Sequence, residues 1–181
     1  MKLLFASDIH GDIECAKRLF QLYDEEGADK MILLGDLLYH GPRNDLPPHY
    51  APKEVISLLN SRKEILCCVR GNCDTEVDQM VLEFPILADY AYLSLDGLTV
   101  FATHGHHHNT ATPPSLRCGE ILLHGHTHVL KCEEFGCRNY YLNPGSAALP
   151  KEGNPRTYMV YENREFTVKD FDENVIFSKK F

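Results

Sequence analysis

Lys2-Leu3-Leu4-Phe5-Ala6-Ser7-Asp8-Ile9-His10-Gly11-Asp12-Ile13 is the stretch that decides the fold. Lys2 to Ala6 is an apolar run of strand length, Ser7 to Gly11 is a polar loop, and from Asp12 the residues Ile13, Ala16, Leu19, Phe20 and Tyr23 recur at helical spacing. The pattern predicts strand, loop, helix. Asp12 can cap that helix through its carboxylate, and the acidic tail Asp24-Glu25-Glu26 stops at Gly27. Lys30 to Leu34 is then a second buried strand ending at Gly35-Asp36, which completes a βαβ unit.

Working outward, Pro42, Pro47, Pro48 and Pro52 mark residues 40–52 as a loop long enough to suggest function rather than mere connection. Lys53 to Asn60 reads as a helix. Glu64 to Val69 reads as a third strand, ending at Arg70-Gly71-Asn72-Cys73-Asp74, and a further helix runs from Asp74 through Val77, Met80 and Val81 to Leu82. Each of these strands stops at a loop of polar side chains, and in open α/β sheets such carboxyl-end loops bind ligands. The second half is mostly strands. Tyr90–Leu95 and Leu98–Thr103 flank Asp96-Gly97, Ile121–Leu123 is a short apolar strand, Cys132–Phe135 and Arg138–Leu142 flank Gly136-Cys137, and Thr157–Tyr161 precedes Phe166–Phe171. No fixed-period repeat, linker or low-complexity tract divides the chain, so residues 1–181 are expected to form a single domain.

The composition, 44% apolar and 24% charged over 181 residues, is that of a globular protein. No apolar run approaches the roughly 20 residues of a membrane span, and the Leu3–Ala6 run is too short for a signal peptide's apolar region, so a cytoplasmic protein with no membrane partner is expected. The net charge of −8 argues against non-specific nucleic-acid binding, which needs a basic face, and implies that any phosphate meets this chain through a metal. Seven cysteines, an odd set without a Cys-x-x-Cys pair, point to reduced thiols that mostly fill core space.

The chemistry sits in the histidines and acids at strand ends. Thr103-His104-Gly105-His106 follows one strand and His124-Gly125-His126-Thr127-His128 another; residues i and i+2 of an extended segment share a side, so His126 and His128 can address one site. Asp8, His10, Asp36, Asn72, His104, His126 and His128 form a set of imidazoles, carboxylates and one amide suited to Mn²⁺, Fe or Zn²⁺. These ligands exceed what one ion takes. Two ions about 3.5–4 Å apart, bridged by a carboxylate, polarise a phosphate and generate a nucleophile near neutral pH.

With these residues assembled, the chain resembles the calcineurin-like metallophosphoesterases, in particular their small bacterial and archaeal phosphodiesterase branch. The likeness covers residues 2 to about 146 and rests on Asp8-x-His10, Gly35-Asp36, Gly71-Asn72-Cys73-Asp74, Thr103-His104-Gly105-His106 and Gly125-His126-Thr127-His128, in the family's order. Asn143-Pro144-Gly145-Ser146 and His40-Gly41-Pro42-Arg43-Asn44 also look like that branch. The resemblance implies an α/β (mixed α+β) fold, a four-layer αββα sandwich of two mixed sheets flanked by helices. It also implies that Asp8, His10, Asp36 and His128 hold one metal and that Asp36, Asn72, His104 and His126 hold the second, with Asp36 bridging. Mn²⁺ is the expected ion, with Zn²⁺, Fe and Ni²⁺ as alternatives. The implied reaction is hydrolysis of a small phosphodiester by in-line attack of a hydroxide held between the ions.

One departure matters. Many relatives place a histidine after the Gly-Asn, where it protonates the leaving group, and phosphatase relatives support it with an aspartate three residues beyond the bridging one; here Cys73 and Tyr39 occupy those positions. A general acid contributes about 10²–10⁴-fold. Its absence predicts a preference for good leaving groups, or protonation by His106 or His40. Cys73 is therefore a candidate at the catalytic position, read against structural filler, and His106 is a candidate acid. Arg43 and His40 are candidate substrate contacts, since a guanidinium forks onto phosphate oxygens. His107 and His108 read mainly as loop residues, His124 as a strand-end residue, and Asn143–Ser146 as a turn. The alternatives are a phosphomonoesterase, which the missing dyad disfavours, and a non-catalytic protein-binding scaffold of the kind the family includes, which the filled ligand positions disfavour. A nuclease is weakened by the acidity. Apolar residues on the exposed hairpins offer a surface for homo-oligomers.

Overall fold

A computed structural model describes residues 1–181. Its elements are β1 (Leu3–Ala6), α1 (Ile13–Glu26), β2 (Lys30–Leu33), α2 (Pro52–Ser61), β3 (Leu66–Cys68), α3 (Glu76–Val81), β4 (Tyr90–Leu95), β5 (Leu98–Thr103), β6 (Ile121–His124), β7 (Lys131–Phe135), β8 (Asn139–Asn143), β9 (Thr157–Glu162), β10 (Glu165–Asp170) and β11 (Val175–Lys180). They form a six-stranded sheet in the order β11-β10-β9-β1-β2-β3 and a five-stranded sheet in the order β4-β5-β6-β8-β7. Both sheets are mixed. β1, β2 and β3 run parallel, as do β5, β6 and β8, while β9, β10 and β11 on one sheet and β4 and β7 on the other pair antiparallel with their neighbours.

The pleat explains why β1 is apolar throughout. Leu3 and Phe5 face the second sheet, in a core with Ile32, Val100, Leu123, Leu142, Met159 and Phe166. Leu4 and Ala6 point the other way, where Leu19, Phe20 and Tyr23 of α1 and Val55 and Leu59 of α2 cover the first sheet. The outer face of the second sheet carries a smaller cluster, Phe101, Leu122 and Tyr141, packed against Leu116 and Phe135. There the fourth layer is the loop between β5 and β6 rather than a helix.

Local signals set the ends of α1 as expected: Asp12 accepts the Cys15 N–H at 2.9 Å, and Gly27 closes the helix in the left-handed conformation. Three features differ from the sequence reading. α3 starts at Glu76, because Thr75 and Asp78 form a reciprocal capping box and Asp74 is used elsewhere. β11 was not anticipated; it is a largely exposed edge strand paired to β10, whose pattern carries little burial signal. The expectation of uniformly reduced thiols is corrected at one pair: Cys118 and Cys137 form a disulfide, since the β7–β8 turn returns beside the turn before β6, where the Gly119 N–H donates to the Cys137 carbonyl at 3.2 Å. The other five cysteines are free. No helix is long and apolar enough to cross a membrane.

Candidate metal centre

All seven proposed ligands come from loops at the carboxyl ends of parallel strands. β1 leads to Asp8 and His10, β2 to Asp36, β3 to Asn72, β5 to His104, and β6 to His126 and His128. The two sheets place these ends together. Ligand atoms of Asp8, His10 and His128 lie within 4.8 Å of one another, and so do those of Asp36, His104 and His126. Asp36 stands between the two, its Oδ2 3.8 Å from His10 Nε2 and 3.4 Å from His104 Nε2, and with His10 and Cys73 it forms a third such group. Asn72 Oδ1 is 3.0 Å from His104 Nε2.

The chain holds this arrangement at a backbone cost. Asp8, His10, Asp36, His126 and His128 all have positive φ, from 49° to 66°. Two close approaches require glycine: a Cβ on Gly71 would stand 2.1 Å from Asp36 Oδ1, and one on Gly125 would stand 1.8 Å from Ser7 Oγ.

Carbonyls aim the rings. His10 Nδ1 donates to the Tyr39 carbonyl at 2.7 Å, His104 Nδ1 to that of Leu34 at 2.6 Å, and His128 Nδ1 to that of Leu149 at 2.6 Å. Each ring so held presents Nε2 to the centre, the tautomer that metal-ligating histidines use. His10 Nε2 and His128 Nε2 are then 3.2 Å apart, and His126 Nδ1 is 3.2 Å from His104 Nε2. In neutral rings His10 and His128 face each other with lone pairs, an arrangement that calls for a positive charge between them. Asp8 Oδ1 is buried beside them without a hydrogen-bond partner. This donor set fits divalent cations.

Without a cation, protons meet the same demand. Burial opposes the charge on Asp8, yet the His10 and His128 rings hold its carboxyl well below the usual range. Burial likewise opposes charge on His104, but Asp36 and Asp8 push it up to about 9. Ligands must shed such protons to take a metal, so the site's metal affinity is coupled to pH.

The other sequence candidates are distributed around this centre. His106 lies beside it, its ring 5.4 Å from that of His104, and burial together with the charged His104 lowers it to about 4. At neutral pH it lacks the spare proton of an imidazolium. Cys73 is buried next to Asp36, whose Oδ1 accepts the Cys73 N–H at 2.8 Å; burial, reinforced by Asp36, pushes the thiol up and keeps it protonated. Arg43 lines a cleft of about 450 Å³ over the ligands, with Asn72, Cys73, His126 and His128. His40 packs edge-on to Tyr39 and Tyr50, 4.7 and 5.4 Å between ring centres, and does not line the cleft. His107 is exposed, and His108 packs edge-on to Phe101, away from the ligands. His124 stacks on Tyr141 at 4.3 Å, and burial lowers it to about 4. The Asn143–Ser146 turn ties the centre down: the Asn143 amide donates to the Gly125 carbonyl at 2.9 Å, and Ser146 Oγ donates to that of Asp8 at 3.1 Å.

Two participants were missed. Lys151 lines the same cleft as Asp36 and forms no ion pair, and its only signal in the sequence is a cation in a loop. Asp74 was read as a helix start, whereas its carboxylate accepts the N–H groups of Asp36, Leu37 and Gly71 at 2.8, 2.9 and 2.7 Å and so binds two ligand loops together.

Residues 1–165 match the calcineurin-like phosphoesterase superfamily domain. The chain belongs to this superfamily. Phosphodiesterase YfcE of Escherichia coli K12 is 42% identical over 179 residues, spanning 99% of this chain and 97% of that protein. The solved structure of the Escherichia coli phosphoesterase Yfce superposes with a TM-score of 0.95 at 42% identity, covering 99% of this chain and 98% of that one. Vacuolar protein sorting 29 from Cryptosporidium parvum, 18% identical with a TM-score of 0.62 over 99% of this chain and 97% of its own, shares the fold. This calcineurin-like domain is thus a phosphoesterase.

Proposed function

We propose that this chain is a divalent-metal-dependent phosphodiesterase acting on a small diester, in line with the name of its 42%-identical relative. The observation that carries the reading is the pair of neighbouring ligand groups, Asp8-His10-His128 and Asp36-His104-His126, with imidazole lone pairs and an unpartnered Asp8 oxygen turned on one another. Asp8, His10, Asp36 and His128 would hold one cation, and Asp36, Asn72, His104 and His126 the other. Mn²⁺ suits these oxygen and imidazole donors. When bound, two such cations supply Lewis-acid stabilisation of the phosphoryl group and an acidified water.

The chain's own groups do the rest. The Tyr39, Leu34 and Leu149 carbonyls fix the imidazole tautomers, and Asp74 fixes the loops of Asp36 and Asn72. Arg43 and Lys151, on the walls of the cleft, orient the non-bridging oxygens of the phosphate. The fully ionised oxygens of a monoester place a heavier demand on leaving-group protonation, and Cys73 rather than a histidine follows Asn72 to meet it. A diester is the better substrate.

The test is hydrolysis of bis(p-nitrophenyl) phosphate beside p-nitrophenyl phosphate by metal-stripped protein with Mn²⁺ restored, and with Asp36→Asn as control. Faster diester cleavage that needs the metal and falls at least about 10³-fold in Asp36→Asn is expected, the order of effect seen when a catalytic unit is broken. Cleavage of neither ester by folded protein with any divalent ion overturns the reading.

A further inference from the structure

The cleft over the ligands is polar on nearly every side. Arg43, Asn44, Asn72, Thr127 and Lys151 line it, and beyond His126 a second cavity of about 430 Å³ is walled by polar groups such as His106, Asn109 and Lys131. The wall at Cys73 differs. There the cleft adjoins a groove of about 440 Å³, lined by Tyr39, Tyr50, Ile56, Val77 and Val81, with Cys73 common to both. Lys53 and Asp78 are the charged residues along it.

This groove has no internal reason to be apolar. α3 buries none of its residues, and Val77, Val81 and Tyr39 are 69%, 44% and 42% exposed. A short amphipathic helix ordinarily turns such residues inward, and an apolar strip left facing water next to a reactive centre marks a binding surface. Cys73 lines both cleft and groove, and a thiol is a small, weakly polar group. An aspartate or histidine there would place a strongly solvated side chain at the groove mouth.

We infer that the groove between the 39–56 segment and α3 is a subsite for one apolar substituent of the diester, so that the preferred substrates carry an aromatic or alkyl ester group. This rests on the phosphodiesterase reading. With the phosphate held over Asp36 by Arg43 and Lys151, a substituent passing Cys73 lies against Tyr39 and Tyr50 and reaches Val77 and Val81. The second substituent remains on the polar side.

Dialkyl phosphates, with poorer leaving groups than p-nitrophenolate, compete with bis(p-nitrophenyl) phosphate turnover, so their inhibition constants report how well the groove takes each substituent. Inhibition by methyl phenethyl phosphate is compared with that by dimethyl phosphate in the Mn²⁺-loaded protein, in a Val77→Glu/Val81→Glu variant, and in Val175→Glu, which alters an exposed residue of the β11 edge. A preference of about 10- to 100-fold for the phenethyl ester is expected in the wild type and in Val175→Glu, the discrimination an apolar pocket provides. It should fall to about threefold or less in the double variant. Equal inhibition by the two esters in the wild type, or a preference that survives the double variant, would overturn the inference. So would light scattering showing a wild-type dimer that the double variant dissolves, since a second copy would then cover the groove. Absence of reporter turnover with every divalent ion sinks the phosphodiesterase reading and this inference with it, and is readily distinguished from turnover indifferent to the groove.

Discussion

Asp8, His10, Asp36, His126 and His128 spend backbone energy to point inward, each in a region that costs an L residue about 1–3 kcal/mol. Such strain persists only where neighbours over-determine it, and Asp74 is the clearest of those neighbours. Its carboxylate satisfies three buried N–H groups that nothing else reaches. Asp74→Ala should therefore cost about 3 kcal/mol in chemical denaturation, because the abandoned donors keep their desolvation penalty. The same change should weaken metal binding about 10- to 100-fold in titrations, the usual effect of removing a group that orients ligands. At Cys73 the expected change is in the opposite direction. Cys73→His restores an acid at the leaving-group position, so alkyl esters should gain up to about 10²-fold while aryl esters gain much less. Equal gains in parallel assays of the two ester classes would show that protonation is not what the cysteine forgoes.

At the scale of elements, α1 ties the loop that carries Asp8 and His10 to the core. Asp12 caps the helix through the Cys15 N–H and also accepts from Arg156 at 3.3 Å, while the preceding His10 and Asp8 reach the metal centre. Asp12→Ala should lower stability by about 1–2 kcal/mol in urea unfolding, the worth of a helix cap. Asp12→Asn, which keeps a capping oxygen, should lose less than half of that. Much of this level was legible in the chain. The apolar runs gave β1, β2, β5 and β6, and the glycine-flanked acids and histidines gave the loops that follow them, because a strand buried on both faces and a ligand loop each leave a local signature. β11 left almost none, since an exposed edge strand is held by its partner rather than by a buried face.

At the scale of the molecule, Glu26 locks the far end of α1 to the first sheet. Lys169 lies 2.5 Å from its Oε1 and Lys2 2.7 Å from its Oε2, and the Tyr158 hydroxyl donates to it at 3.0 Å. Burial works against this charge, but the two lysines and the tyrosine outweigh it and lower the carboxyl below the ordinary glutamate range. A carboxyl lowered in the folded state binds fewer protons there than in the unfolded chain. Its contribution is therefore complete above the ordinary value of about 4.3 and is lost as pH falls through the lower folded value. Glu26→Gln should cost about 1–3 kcal/mol at pH 7 and flatten the loss of stability below about pH 4, measured by thermal melts across pH.

The sequence by itself determined which acids and histidines follow the ends of the buried strands, since strand burial and loop chemistry are written in residue type and local period. It also exposed the gap at Cys73 and Tyr39. What only the tertiary structure decided is everything that depends on two distant segments meeting. The Leu149 carbonyl behind His128, Asp74 beneath Asp36, Lys151 across the cleft from its ligands, the Cys118–Cys137 bond and the apolar groove beside Cys73 are of this kind. Each is made of ordinary residues in unremarkable local sequence. Their roles arise when the two sheets pack and bring the ends of β1, β2, β3, β5 and β6 to one place, because the energy that assigns those roles lies in contacts between elements and not within any one of them.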